Sequence, residues 1–154
     1  MSENAQTSNL RVSIEAGAKL DDINWVNQRL ADYAVQTIGR NDYVPLTVFL
    51  RDEANQLRGG LLGYTIWSAM QIDSFWVDEE VRRQGHGRAL LAAAERAARI
   101  RGCKLVHLET YSELARQFYE RSGFVVFGQL GIDDGLTRYY LSKSLKDDGE
   151  TSSL

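Results

Sequence analysis

The stretch Arg82-Arg83-Gln84-Gly85-His86-Gly87-Arg88-Ala89 combines residue types and spacing suited to holding an anion. It follows an apolar run ending at Val77. It leads into Leu90, Leu91, Ala94, Ala97 and Ala98, which share one face of a helix. The first N–H groups of a helix have no intrahelical acceptor. A Ser, Thr, Asp or Asn side chain usually satisfies them, and none occurs between Val81 and Leu91. The donors stay open, Gly85 and Gly87 carry no side chain to hold an anion away, and the helix dipole favours negative charge. Arg82, Arg83 and Arg88 add full positive charge. The expected ligand is a phosphate or pyrophosphate, bound mainly by backbone.

Other readings of this loop exist. The P-loop pattern fails, because no Gly-Lys-Ser/Thr follows. The dinucleotide fingerprint matches in part: Gly85-x-Gly87 opens a helix, and Glu109 ends the next strand about 20 residues on. Leu90, however, occupies the third glycine position, and the preceding strands read as antiparallel. A plain glycine-rich turn with solvated arginines is the bland alternative.

The loop needs elements to position it. Leu10 to Glu15 alternates apolar and polar residues and reads as a strand. Asp21 to Ile38 reads as a helix. Leu46–Arg51, Leu57–Ser68 and Met70–Val77 read as an antiparallel meander, in which glycines 59, 60 and 63 mark a bulge or a close backbone approach. Then come a helix over Gly87–Arg101, a strand over Lys104–Glu109, and a short helix over Glu113–Arg121 closed by Gly123. A strand over Phe124–Leu130, a turn over Gly131–Gly135 and a last strand over Leu136–Ser142 complete the order β-α-β-β-β-α-β-α-β-β. This predicts an α/β (α+β) fold: a mixed, mostly antiparallel central sheet with helices on both faces. Residues 10–146 are expected to form the domain, with polar tails over 1–9 and 147–154.

Composition narrows the function class. The chain has 154 residues, 44% hydrophobic and 25% charged, as expected of one globular domain. Eighteen Lys and Arg against 21 Asp and Glu give a net charge of −3, so no basic field favours nucleic acid. The single cysteine, Cys103, excludes a disulfide framework and a cysteine-based zinc site; it reads as a small buried hydrophobe. No metal is expected. Glu3 lies in a polar N-terminus unlike a signal peptide, and the charge-free stretch Gly59–Ile72 is too short to span a bilayer. A cytoplasmic protein without membrane association is expected.

Arg82-Arg83-Gln84-Gly85-His86-Gly87 resembles the acyl-CoA signature of the GNAT superfamily of N-acetyltransferases, [Gln/Arg]-x-x-Gly-x-[Gly/Ala]. Tyr119-Glu120-Arg121-Ser122-Gly123-Phe124 matches the Tyr-x-x-x-Gly-Phe pattern of its following short helix. The resemblance spans about residues 10–145. It implies acetyl transfer from acetyl-CoA to an amine by direct attack, with the superfamily's fourth and fifth strands splayed around the cosubstrate. It implies that the backbone of Trp76 and Val77 pairs with the pantetheine and that Arg82, Arg83, Gln84, Gly85, His86, Gly87, Arg88 and Ala89 hold the pyrophosphate. Tyr119 corresponds to the general acid at the CoA sulfur, and the oxyanion donor would be a strand N–H at Val77. Where many relatives carry a CoA-contacting asparagine, this chain has Ser112, which reads instead as a helix cap. Homodimers occur among such proteins.

The base is open between Asp73, on the strand before the loop, and Glu109, at the end of the next; each also reads as a solvated charge. His107 alternates with Val106 and Leu108 and reads as structural. The acceptor, a small-molecule or protein amine, would meet Asp32, Tyr33, Asp42, Tyr43, Asp133 and Asp134 through charge and cation–π contacts. Trp67, Phe75 and Trp76 read as core or cleft wall. A non-catalytic acyl-CoA-binding module and, further off, a dinucleotide-binding domain are the alternatives.

Overall fold

A computed structural model describes residues 10–145. The expected tails, 1–9 and 147–154, lie outside the described residues. The chain divides after Arg40 into two compact units.

In the first unit, α1 spans Leu20–Ile38. Asp21 and Asp22 in its first turn complement the dipole, and it stops where Gly39 turns left-handed (φ 87°) and donates its N–H to the Val35 carbonyl. The strand expected over Leu10–Glu15 is absent, and Leu10, Val12 and Ile14 are exposed. Alternation supplies a face, but a strand also needs an edge to pair with. No described residue pairs with this segment.

The second unit is a six-stranded sheet: β1 (Val44–Arg51), β2 (Leu57–Ile66), β3 (Ala69–Val77), β4 (Leu105–Thr110), β5 (Val125–Asp133) and β6 (Leu136–Ser144). The spatial order is β1-β2-β3-β4-β6-β5. Only β3 and β4 run parallel, joined by α2 (His86–Ile100); every other pairing is antiparallel. Helix α3 (Glu113–Arg121) follows β4. The sheet is therefore mixed and mostly antiparallel, as the element order predicts.

Period-2 alternation sends Leu46, Leu61, Met70, Ile72, Val106, Leu108 and Leu141 to one face. Leu91, Ala94 and Ala98 of α2 and Tyr119 of α3 pack on that same face. Each fully buried Leu or Met contributes about 1.5–3 kcal/mol over an exposed one. Glu95 is buried and accepts two bonds from Lys143 Nζ, at 2.9 and 3.0 Å, which fixes α2 over β6. Cys103 is buried beside the start of β4, and burial pushes its thiol up. The other face, carrying Phe49, Leu62, Tyr64, Trp76 and His107, is open within this unit. No helix among the described residues is long and apolar enough to cross a membrane.

Candidate active site

β3 and β4 part company midway. Their ladder joins Ala69–Ile72 to Leu105–Leu108 and stops there. Beyond it β3 stays with β2 as far as Val77, while Glu109 and Thr110 stay with β6. One edge of β3 from Asp73 to Val77 therefore has no strand partner, which leaves a split in the middle of the sheet. This is the splay that the resemblance implies.

A bulge in β3 sits at the apex of that split. Leu62 pairs with Ser74 but Gly63 pairs with Ile72, so Asp73 is the extra residue. Glycines make the close approach possible. A Cβ on Gly63 would lie 2.0 Å from the Gln71 carbonyl oxygen, and one on Gly59 would lie 2.8 Å from that of Trp76. Asp73 and Ser74 are exposed at the bulge, and Trp76 is 56% exposed further along. Phe49, Leu62 and Trp76 wall an apolar groove of about 290 Å³ on the open face.

The loop after β3 is held by its own charges. Asp78 accepts from the N–H of Glu80 at 3.1 Å, and Arg58 reaches Asp78 at 3.3 Å and Glu80 at 2.7 Å. Arg82 folds back: its Nε donates to the Val77 carbonyl at 2.7 Å, and its guanidinium pairs with Glu79 at 3.7 Å and lies over Trp76. Arg82 thus braces the loop. Arg83 and Arg88 are exposed, and neither forms an ion pair among the described residues.

Arg83 (φ 62°) and Gly85 (φ 85°) turn the chain left-handed into α2. Gly85 is the N-cap and no side chain caps the helix; its first internal bond runs from the Ala89 N–H to the Gly85 carbonyl at 3.0 Å. The N–H groups of His86, Gly87 and Arg88 are thus without helical acceptors. A Cβ on Gly85 would meet nothing within 4 Å, so glycine there serves the backbone conformation. A Cβ on Gly87 would meet the Phe118 ring at 3.5 Å and the Phe75 ring at 3.8 Å, ordinary van der Waals contacts, so this side of Gly87 faces the aromatic residues around Tyr119.

Tyr119 is 6% exposed, wedged between Phe75 (ring centroids 6.1 Å), Phe118 (5.3 Å) and Phe124 (5.5 Å). Phe75 belongs to the free-edged part of β3, so this packing sets the phenol beside the split. The hydroxyl has no hydrogen-bond partner among the described residues. Burial pushes its pKa up to about 12, and it remains a proton donor at neutral pH. Ser112 accepts from the Ala115 N–H at 3.2 Å, confirming it as the α3 cap.

The same burial predicts an alkaline effect on stability. The folded pKa is raised, so the contribution is complete below pH 10 and is lost as pH rises towards about 12. The stability of wild type minus that of Tyr119→Phe should fall by about 2–3 kcal/mol across that window. Urea unfolding of both proteins at pH 9 and pH 11.5 measures it.

The two candidate bases sit differently. Asp73 is exposed at the bulge. Glu109 faces Arg138 at 3.5 Å, and Arg138 stacks over Tyr111 at 4.6 Å. Sequence reasoning missed Arg138, since nothing local marks it. Of the acceptor candidates, Asp42 accepts the Trp67 N–H at 2.9 Å and Tyr43 packs on Tyr64, while Asp133 and Asp134 lie exposed at the β5–β6 turn. In the first unit, Asp32 accepts from Gln28, and Tyr33 lies one residue on in α1. The dinucleotide alternative loses its ground at Leu90, which is buried where that fingerprint requires glycine.

Known proteins are similar to this chain in sequence and fold. Residues 17–124 match the Acetyltransferase (GNAT) family. The acetyltransferase Atu2258 of Agrobacterium fabrum is 34% identical over 119 residues, 77% of this chain and 87% of that one. The blasticidin-S acetyltransferase of Streptomyces morookaense is 36% identical over 95 residues, 60% of this chain and 70% of its own. A crystal structure from Agrobacterium tumefaciens assigned to the acetyltransferases superposes with a TM-score of 0.83 at 30% identity, covering 88% of this chain and 99% of that one. A Bacillus anthracis protein assigned as a streptothricin acetyltransferase, solved with acetyl coenzyme A, superposes with a TM-score of 0.59 at 25% identity over 65% of this chain and 62% of its own. A split sheet, an uncapped helix after it and a matched span of this length all have one explanation: the chain belongs to the GNAT family of acetyltransferases.

Proposed function

We propose that this protein is an acetyl-CoA-dependent N-acetyltransferase that acetylates a primary amine of a small molecule or protein by direct attack. The observation that carries the reading is the split between β3 and β4, with the uncapped start of α2 at one side and Tyr119 beside it. Pantetheine amides would pair with the free backbone edge at Trp76 and Val77. The pyrophosphate would sit on the open N–H groups of the Gln84–Arg88 turn with Ala89 at its edge, Arg83 and Arg88 adding charge and Arg82 bracing the loop. The amine nitrogen attacks the thioester carbonyl, the C–S bond breaks, and Tyr119 supplies the proton to the departing thiolate. Asp73 and Glu109, just past the end of the β3–β4 ladder on either side of the split, would attract the incoming ammonium. With Trp76 and Tyr64 on the same face, they favour a cation carrying apolar or aromatic surface. The streptothricin and blasticidin-S acetyltransferases among the similar proteins agree with a small-molecule amine. A lone buried thiol agrees with a cytoplasmic setting.

Thermal shift with acetyl-CoA, free CoA and NAD tests the donor site. A ligand at 100 times its dissociation constant adds about 2.7 kcal/mol, or roughly 5–10 °C in Tm for a chain of this size. CoA species should shift the protein and NAD should not. Reversing both free arginines (Arg83→Glu with Arg88→Glu) should weaken acetyl-CoA binding about 10–100-fold and flatten its salt dependence. No CoA shift in a cooperatively melting wild type would overturn the assignment. Thiol release from acetyl-CoA with blasticidin S, spermidine, tyramine and a short peptide bearing a free N-terminus then tests the transfer.

A further inference from the structure

His107 occupies a position that the reading above leaves unused. Its neighbours Val106 and Leu108 are buried in the core, so His107 points to the opposite, open face of the sheet. It pairs with Gln71 on the last rung but one before the split. Asp73 is the first residue of β3 past that ladder, and its charge acts on both His107 and Tyr64. Tyr64, one strand further, donates its hydroxyl to Gln71 Oε1 at 3.0 Å and packs on Tyr43. On the other side Ser142 of β6 lies opposite His107, with Tyr140 next to it on that face. Along β4, Glu109 is engaged by Arg138. The imidazole has no hydrogen-bond partner among the described residues. At the apex of the split, a half-buried neutral base thus stands beside a free carboxylate.

We propose that His107 accepts the proton of the acceptor ammonium, while Asp73 attracts that ammonium and stabilises the imidazolium that forms. This rests on the N-acetyltransferase reading. The chemistry favours imidazole over either carboxylate: an imidazole is intrinsically a far stronger base than a carboxylate, and it is the side chain suited to proton transfer near neutral pH. Burial lowers the His107 pKa and the charge of Asp73 raises it, with burial the larger effect, so the free ring is neutral at pH 7. Two protons leave the nitrogen. His107 takes the first from the ammonium and passes it to water. The neutral amine attacks, the C–S bond breaks, and Tyr119 protonates the thiolate. The second proton, shed as the amide forms, returns through water to Tyr119.

The test uses the full chain with blasticidin S, spermidine, tyramine and the free-N-terminus peptide as acceptors, between pH 5 and 9. Wild-type kcat/KM should carry an inflection below pH 6.5, which the ring C–H resonance of His107 should reproduce in an NMR titration. His107→Gln should lose that inflection and about 100-fold in rate at pH 7, with acetyl-CoA affinity and Tm within experimental error. Asp73→Asn should move the inflection to lower pH and raise KM for the amine. A His107→Gln protein with wild-type rate and pH profile would overturn the proposal. So would an inflection that fails to track the histidine titration. Wild-type protein that binds acetyl-CoA but acetylates none of the four amines would overturn the transferase reading itself, a failure visible before any variant is made.

Discussion

Tyr119→Phe is expected to lower kcat about 100-fold while acetyl-CoA binding changes less than about threefold. The substitution removes one oxygen and leaves the ring. The ring packs against Phe75, Phe118 and Phe124, so the aromatic cluster survives. The hydroxyl has no hydrogen-bond partner among the described residues, so none of them loses a donor or acceptor with it. Folding stability at neutral pH should therefore stay within about 1 kcal/mol of wild type. General acid catalysis typically contributes 10²–10⁴-fold, and the lower end applies here. A phenol held near 12 gives its proton to a thiolate of ordinary pKa about 8.5 only uphill, as the tetrahedral centre collapses and the nitrogen sheds its own proton. Single-turnover kinetics with saturating acetyl-CoA measure the step. An unchanged rate would make Tyr119 a packing residue. A parallel loss of rate and affinity would make it a binding residue.

What the sequence made legible were features written locally. The uncapped start of α2 follows from a run without Ser, Thr, Asp or Asn, and Ser112 as the α3 cap follows from its position before Glu113. The bounds of α3 were readable because its cap and Gly123 both lie within a few residues of its ends. Features that depend on a distant partner were not. Leu10–Glu15 has the alternation of a strand, yet alternation says nothing of which edge would receive it. The hold of Arg138 on Glu109 joins residues far apart in the chain. Arg82 looked like one of three equivalent cations, but Glu79 and the Val77 carbonyl lie within its reach and claim it. The split was foreseen through a family resemblance. Residue types alone do not reveal where a parallel ladder stops.

Gly63→Ala is expected to cost about 3–4 kcal/mol, roughly 6–15 °C in Tm, and to remove most acetylation activity in the protein that still folds. The added methyl would sit 2.0 Å from the Gln71 carbonyl oxygen and 3.2 Å from the Ile72 Cα. Both contacts are backbone, and no rotamer change relieves them. Either β2 and β3 separate at this rung or the register slips to abolish the bulge. A one-residue slip inverts every side chain beyond it. Asp73 would leave the apex, and Phe75, the contact that sets Tyr119, would turn from the core to the open face. Gly60→Ala provides the comparison. Its methyl would meet the Phe49 ring at 3.0 Å and the Val48 carbonyl at 3.2 Å, contacts that yield by small shifts. That variant should lose only about 1 kcal/mol and keep its rate. Urea unfolding with thiol-release assays on both variants separates the cases. Equal, small effects at the two glycines would show that the bulge tolerates a side chain and that the site does not depend on it. A large loss confined to Gly63 would tie the position of the chemistry to one backbone approach in the sheet.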